Sequence, residues 1–244
     1  MSVNDSKNIE SRKKILVIDN YPRRFPTDRI ARIETIVNNC IAGLELETVH
    51  YTQFNNELPN DVIGVIISGS NLNVSSFYFN NKLKRRFKYQ LEFIRQNQIP
   101  ILAICFGFHL VAYAYGAQIC RMQLSGLGGK IIFILLNETD NLIPHANIPV
   151  NIHHRDFVSP NDCEIQKNFE IRATSRTLGY KMIQYMKHID KSIFSLQFHP
   201  ETHNADYFHP SLFDKRITSR TMMIGREIIE NFIWFCYHKK SRSE

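Results

Sequence analysis

Apolar and polar positions along this chain fall into two alternating rhythms. Predominantly apolar runs of about six residues occur at Lys14–Asp19, Val62–Ile67, Ile99–Ile104 and Ile193–Phe198. Runs of that length, closed by a polar or glycine-containing segment, predict strands buried on both faces. Leu44–Tyr51 alternates well enough for a further strand, and Ile131–Leu136, Glu170–Ser175 and Lys181–Met186 are shorter candidates. Between the runs the period lengthens to that of a helix. Thr27 is placed to cap a helix with Ile30, Ile33, Val37 and Cys40 on one face and Gly43 as its stop. Asn80–Gln98 predicts one amphipathic helix, with Leu83, Phe87, Leu91 and Ile94 inward. Phe106–Tyr115 is apolar almost all round and ends at Gly116, which predicts a buried helix. Thr218–Tyr237 predicts the closing helix, with Ile224, Ile228, Phe232 and Phe235 on one side.

Strands apolar on both faces, alternating with helices, imply an α/β fold: an open, mostly parallel sheet flanked by helices, with a small antiparallel portion around Ile131–Leu136. Neither a repeat nor an internal linker interrupts the 244 residues, so one domain over 14–238 is expected, between flexible tails at 1–13 and 239–244. Thr202–Ser219 reads as a long polar loop, and Gln123–Lys130 as a glycine-rich turn that lacks the G-K-[ST] phosphate-loop ending.

Composition narrows the function. With 30 Lys and Arg against 23 Asp and Glu, the charge of +7 is not concentrated enough to imply nucleic acid, and the basic positions Lys82–Lys88 read as a solvated helix face. The amino-terminal stretch lacks the apolar centre of a signal peptide, and no run reaches the ~20 apolar residues of a membrane span. Five cysteines with no C-x-x-C pair fit a reducing compartment, the cytoplasm, and supply no zinc site. His199-Pro200-Glu201 has the H-x-E spacing of zinc deaminases, but the P-C-x-x-C that would complete it is missing, since only Cys236 follows. His153 and His154 are neighbours on an extended segment and face opposite ways, a poor chelate. Neither metal nor cofactor is expected.

Two places carry chemistry. Cys105 stands where a buried strand meets a buried helix, with Ala103 and Gly107 two residues to either side. This is the pattern of a nucleophile elbow with a thiol, and unpaired helix N–H groups and the helix dipole are expected to lower the thiol pKa. The run Ile193–Phe198 then delivers His199 at a strand end, with Glu201 two residues on. A thiol nucleophile needs an imidazole to carry its proton, and the imidazole needs a carboxylate to orient it. Cys105, His199 and Glu201 are therefore the catalytic candidates. Tyr21–Pro26 reads as a loop that carries Arg23 and Arg24 near the rim of such a site.

With these residues in place the chain resembles a class I glutamine amidotransferase domain of the Cys-His-Glu type. Ala103–His109 stands for the family's G-x-C-x-G-x-Q elbow, and Gln197–Glu201 reproduces its Q-F-H-P-E signature. Ile15–Asn20 resembles its first strand, Ile66–Asn71 its S-G-G-P loop, and His153–Val158 its S-H-x-D-x-V segment. The resemblance implies an oxyanion hole formed by the N–H groups of Ser70 and Phe106, and a glutamine pocket lined by Gly69, His109, His154 and Asp156. It implies acyl transfer at a γ-glutamyl carbonyl, through a Cys105 thioester, with water releasing glutamate. Glutamine or another γ-glutamyl compound would be the substrate.

Three readings stay open. One is a glutaminase passing ammonia to a separate synthase subunit. Another is a stand-alone γ-glutamyl peptidase or hydrolase, and the third a non-enzymatic binding or regulatory protein on the same fold. The departures bear on this choice. His109 replaces the elbow's glutamine, and as an imidazole it is expected to titrate near neutrality. Phe108 precedes it where histidine is frequent, and Ser70 and Asn71 replace Gly and Pro. The resulting Ser68-Gly69-Ser70 resembles γ-glutamyl peptidase-like members of the family.

Overall fold

The structure is a computed structural model that describes residues 13–22, 28–123, 129–202 and 215–241. In chain order the elements are β1 (Lys14–Asp19), α1 (Asp28–Cys40), β2 (Glu45–His50), β3 (Val62–Ile67), a 3-10 turn (Val74–Tyr78), α2 (Asn81–Arg86), α3 (Lys88–Gln96), β4 (Ile101–Ile104), α4 (Phe106–Ala114), β5 (Ile119–Arg121), β6 (Lys130–Leu135), β7 (Asn147–Ile152), β8 (Asp156–Val158), α5 (Cys163–Asn168), β9 (Phe169–Thr177), β10 (Tyr180–His188), β11 (Ile193–Leu196) and α6 (Lys215–Ser241).

Seven strands form one sheet in the order β2-β1-β3-β4-β11-β10-β9. The first five run parallel, and β10 and β9 close the sheet antiparallel. Smaller antiparallel pairs, β5 with β8 and β6 with β7, make the expected secondary portion. The predicted α/β class with a mostly parallel sheet is what the chain adopts.

Alternation along β1 sorts the core into two layers. Ile15 and Val17 point to the face covered by α1 and α6, with Ile33, Val37, Ile228 and Phe232. Leu16 and Ile18 point to the other face, with Phe93 of α3 and Phe106, Phe108 and Leu110 of α4. Every residue of β3 and β4 is buried, which is why those strands read as unbroken apolar runs.

The single helix expected over Asn80–Gln98 is two. Asn80 caps α2 by accepting from Leu83 N–H, and the chain breaks at Phe87, whose φ of −103° and ψ of 7° leave the helical region. The break seats the Phe87 ring inside the core, stacked on Tyr51 at 4.8 Å and against Phe106 at 5.1 Å, a gain that outweighs one turn of continuous helix. The strand expected from Ile99 begins at Ile101, because Pro100 has no N–H to give the ladder. The β9–β10 hairpin is longer than either short candidate, its turn made by Leu178 and Gly179 with φ of 50° and 83°. α6 starts at Lys215 and runs to Ser241, past the Tyr237 end expected from its apolar stripe. The Thr27 cap, the bulk of the amino-terminal tail and most of the polar loop expected over Thr202–Ser219 lie outside the described residues. Among the described residues no helix is long and apolar enough to cross a membrane.

Candidate active site

The carboxyl ends of β3, β4 and β11 lie side by side in the sheet, the place where open parallel sheets bind ligands. Cys105 follows β4 with φ of 50° and ψ of −94°, a backbone setting that an L-residue occupies only under constraint. Two bonds impose it. Cys105 N–H donates to Leu196 O of β11 at 2.7 Å, and Cys105 O accepts the His109 N–H of α4 at 3.1 Å. The bend turns the side chain out of the sheet at the start of α4, as the elbow pattern requires.

β11 leads to the second candidate. His199 N–H donates to Asn151 O of β7 at 2.9 Å. His199 Nδ1 and Glu201 Oε1 are 2.7 Å apart, both side chains 1% exposed. A carboxylate only accepts, so Nδ1 carries the proton and Nε2 keeps its lone pair. The buried Glu201 carboxyl feels burial pushing its pKa up. The charge and hydrogen bond of His199, with the Arg29 guanidinium, outweigh this and hold it low.

The Ser68–Asn71 loop after β3 is strapped to the end of β1. Asn20 N–H donates to Ser68 Oγ at 2.9 Å, Asn20 Nδ2 to Ser68 O at 3.1 Å, and Ser70 Oγ to Asn20 O at 2.7 Å. Gln90 of α3 holds the Asn20 amide from behind at 2.8 Å. Asn20 and Gln90 carry no reactive chemistry, and nothing in the sequence marks either as part of a site. Gly69 is needed for space: a Cβ there would stand 2.8 Å from Tyr21 Oη and 3.0 Å from His199 Cε1.

Ser70, Cys105, Phe106, His109, His154 and Asp156 all line one cavity of about 330 Å³. Gly69, His199 and Glu201 lie behind this wall, Gly69 against His199. Asp156 accepts from the N–H and hydroxyl of Ser75 at 2.8 and 2.7 Å. His154 Nδ1 donates to Asp156 O at 2.8 Å, which leaves its buried Nε2 as a lone pair without a partner in the structure. His109 Nε2 is likewise buried without a hydrogen bond, and its ring centre is 6.5 Å from that of His154.

Burial governs the titration of these groups. It pushes the Cys105 thiol up to about 12, although Arg29 and the Phe106 N–H pull the other way. The expected low thiol pKa is thus reversed: a helix N-terminus offers at most ~2 kcal/mol, and the desolvation of a fully enclosed sulfur exceeds it. Burial lowers His109 too, so the expected switch near neutrality moves to more acid pH. Burial and neighbouring positive charge bring His154 to about 3 and His153 to about 4. His199 is lowered by burial and by Arg29, against the opposing pull of Glu201.

Arg29 is the residue that sequence reasoning missed. Its Nη1 lies 2.8 Å from both ring nitrogens of His199. Since Nδ1 already donates to Glu201, it cannot accept from Arg29. A donor equidistant from both nitrogens would also overlap Cε1 if it lay in the ring plane, so the guanidinium sits off that plane. Among the described residues, Sγ of Cys105 has His153 O at 3.8 Å and Gln197 Nε2 at 4.0 Å as hydrogen-bond contacts, and not the His199 imidazole. The arginines expected at the rim, Arg23 and Arg24, lie outside the described residues. Among the described residues no group of three or more His, Cys, Asp or Glu is placed to hold a metal ion.

Comparison with known proteins identifies the family and the fold. The Glutamine amidotransferase class-I family matches residues 32–218, and the chain belongs to that family. A glutamine-hydrolyzing GMP synthase subunit of Methanothermobacter thermautotrophicus is 32% identical over 122 residues, 49% of this chain and 60% of that protein. The subunit of the same name from Methanobrevibacter smithii is 35% identical over 116 residues, 47% of this chain and 56% of that protein. The alignments thus cover less than two thirds of those relatives. A solved structure from Thermoplasma acidophilum, described as a GMP synthase subunit, superposes with a TM-score of 0.69 at 22% identity, over 96% of this chain and 98% of its own. A glutamine amidotransferase from Thermotoga maritima gives 0.63 at 15% identity, over 92% and 98%. At these identities the two structures share the fold. The two sequence relatives are named as synthase subunits, and the peptidase-like branch finds no support in these matches.

Proposed function

We propose that this protein hydrolyses glutamine through a Cys105 thioester and hands the ammonia to a separate synthase subunit. The observation that carries the reading is the strained Cys105 at the end of β4, beside the buried His199–Glu201 pair delivered by the adjacent β11. Cys105 Sγ attacks the γ-carbonyl carbon while its proton passes to His199 Nε2. The N–H groups of Ser70 and Phe106 stabilise the oxyanion. The imidazolium, oriented and charge-compensated by Glu201, protonates the leaving amide nitrogen, and ammonia departs. Water then attacks the thioester, with His199 as base, and frees glutamate and the thiol. His109, His154 and Asp156, on the cavity wall, hold the amino-acid end of the substrate, while Gly69, the further pocket residue the resemblance implied, lies against His199 instead. The name borne by the relatives suggests that the partner consuming the ammonia is a second GMP synthase subunit.

Stand-alone γ-glutamyl hydrolysis is the second reading, favoured by Arg29 and Arg155 on the cavity wall. A γ-glutamyl dipeptide brings an extra carboxylate, which such a wall would attract. One assay separates the two. Incubation with glutamine should release equal ammonia and glutamate, and turnover should exceed that of γ-glutamyl dipeptides. Preference for a dipeptide would move the assignment to the second reading, and no turnover of either, with or without a partner subunit, would overturn both.

A further inference from the structure

Arg29 enters the site from α1, the helix on the opposite face of the sheet from the elbow helix α4. It precedes Ile33 and Ile36 by four and seven residues, so helical geometry turns it to the buried side. It is 7% exposed. A guanidinium keeps its charge throughout the range in which proteins stay folded, and burying one is costly unless acceptors or negative charge meet it.

Its neutral contacts are clear. Nη1 donates to Tyr21 Oη at 3.3 Å, and the guanidinium lies against the His199 ring and within 3.2 Å of His153 Nδ1. Among the described residues, Tyr21 and Cys105 when they ionise, and Glu201 across the His199 ring, bring negative charge into its field. Asp156, the acid on the cavity wall, already has both carboxylate oxygens engaged by Ser75. Among the described residues, the titratable and charged groups around the site are Arg29 from α1, Tyr21 after β1, His109 from α4, His153, His154 and Arg155 between β7 and β8, Asp156 at the start of β8, and His199 and Glu201 after β11.

We propose that Arg29 is a positioning residue for the thiol: its fixed charge, clamped by Tyr21 on the wall it shares with Cys105, lowers the cost of ionising the sulfur in a cavity whose enclosure favours the protonated form. The same charge disfavours an imidazolium at His199. When His199 takes the thiol proton, the ring it forms is a stronger acid than a free imidazolium, and it returns that proton to the leaving nitrogen. The inference rests on Cys105 being the nucleophile, but its test reads ionisation of the sulfur and needs no turnover, so either can fail alone.

The test is alkylation of the full-length protein by iodoacetamide between roughly pH 7 and 10, below the Cys105 inflection, where the labelling rate at each pH tracks the thiolate fraction. The Cys105 peptide is quantified by mass spectrometry, so that Cys40, Cys120 and Cys163 do not contribute. Arg29→Met and Arg29→Gln should slow Cys105 labelling about tenfold at each pH, as a one-unit rise in the thiol pKa would. Arg29→Lys should restore most of the rate. An unchanged labelling rate in either folded neutral variant would overturn the proposal, as would Arg29→Lys labelling no faster than Arg29→Met. Failure of both neutral variants to fold would also overturn it, by making Arg29 a structural residue.

Discussion

Gly107 of α4 rests directly on Ile67 of β3, with no room for even a methyl group: a Cβ at Gly107 would stand 2.5 Å from the Ile67 carbonyl oxygen. The contact fixes the elbow helix against the strand that carries the Ser68–Asn71 loop. The nucleophile and the proposed oxyanion donors are held in one relation by a backbone-to-backbone contact, which cannot relax as a side chain can. Gly107→Ala should therefore cost about 1–3 kcal/mol in urea unfolding and lower kcat more than KM is raised. A variant as stable and active as the parent would remove this contact from the account.

The strain at Cys105 predicts an inversion of the usual ranking of small residues. At most buried positions Ala stabilises more than Gly. At φ of 50° the Cβ is the liability. Cys105→Gly should exceed Cys105→Ala in stability by about 1 kcal/mol, and both should be inactive. Thermal melts of the two variants side by side decide the point, and an Ala variant at least as stable as the Gly variant would show that the bend stores no strain.

Within the proposed triad the losses should be unequal. His199→Asn removes the group that moves the proton and should fall to the level of Cys105→Ser. Glu201→Gln leaves the imidazole with a hydrogen-bond acceptor but removes the compensating charge, and should retain about one to two orders of magnitude more activity. Equal and complete loss in both, with unchanged melting temperatures, would count against an orienting role for Glu201.

Acid should unfold the protein through its buried histidines. In the unfolded chain these titrate near 6.5, whereas in the fold His154 is brought down to about 3 and His153 to about 4. Between those values the unfolded state binds protons that the native state refuses, so stability falls as pH drops below 6.5 and levels off near the folded values. Above 6.5 these groups contribute no slope. His153 is open to solvent on one side, so its share is screened, and enclosed His154 carries the larger part. His154→Gln should flatten the dependence of melting temperature on pH between about 6 and 4, read against the parent. An unchanged slope would exclude His154 as the group responsible.

The architecture was readable because the strands that carry the site are central. Buried on both faces, β1, β3, β4 and β11 need no alternation and stand out as apolar runs, and the residues after them are those that chemistry would ask for. What the chain hides is depth. A helix pattern looks the same on both sides of the Phe87 break, because one residue out of register does not disturb the stripe. β5 and β8 are three residues each, and β7 contains Pro149, so none of them announces itself. Arg29 looks like a solvated charge near a helix start until its spacing to Ile33 and Ile36 is set beside the residues that surround it. The direction of the Cys105 shift followed from a dipole legible in sequence and was reversed by an enclosure that is not.

The sheet order also bears on how the chain is made. β4 has β3 on one side and β11 on the other, and β11 is synthesised long after β4 has left the ribosome. Until Ile193–Leu196 emerges, the fully apolar Ile101–Ile104 presents one bare edge, able to pair with any extended apolar segment nearby. A chain cut short before residue 193 should therefore collect in the insoluble fraction rather than fold into a smaller domain, and slow translation between α4 and β11 should lower the yield of the complete protein.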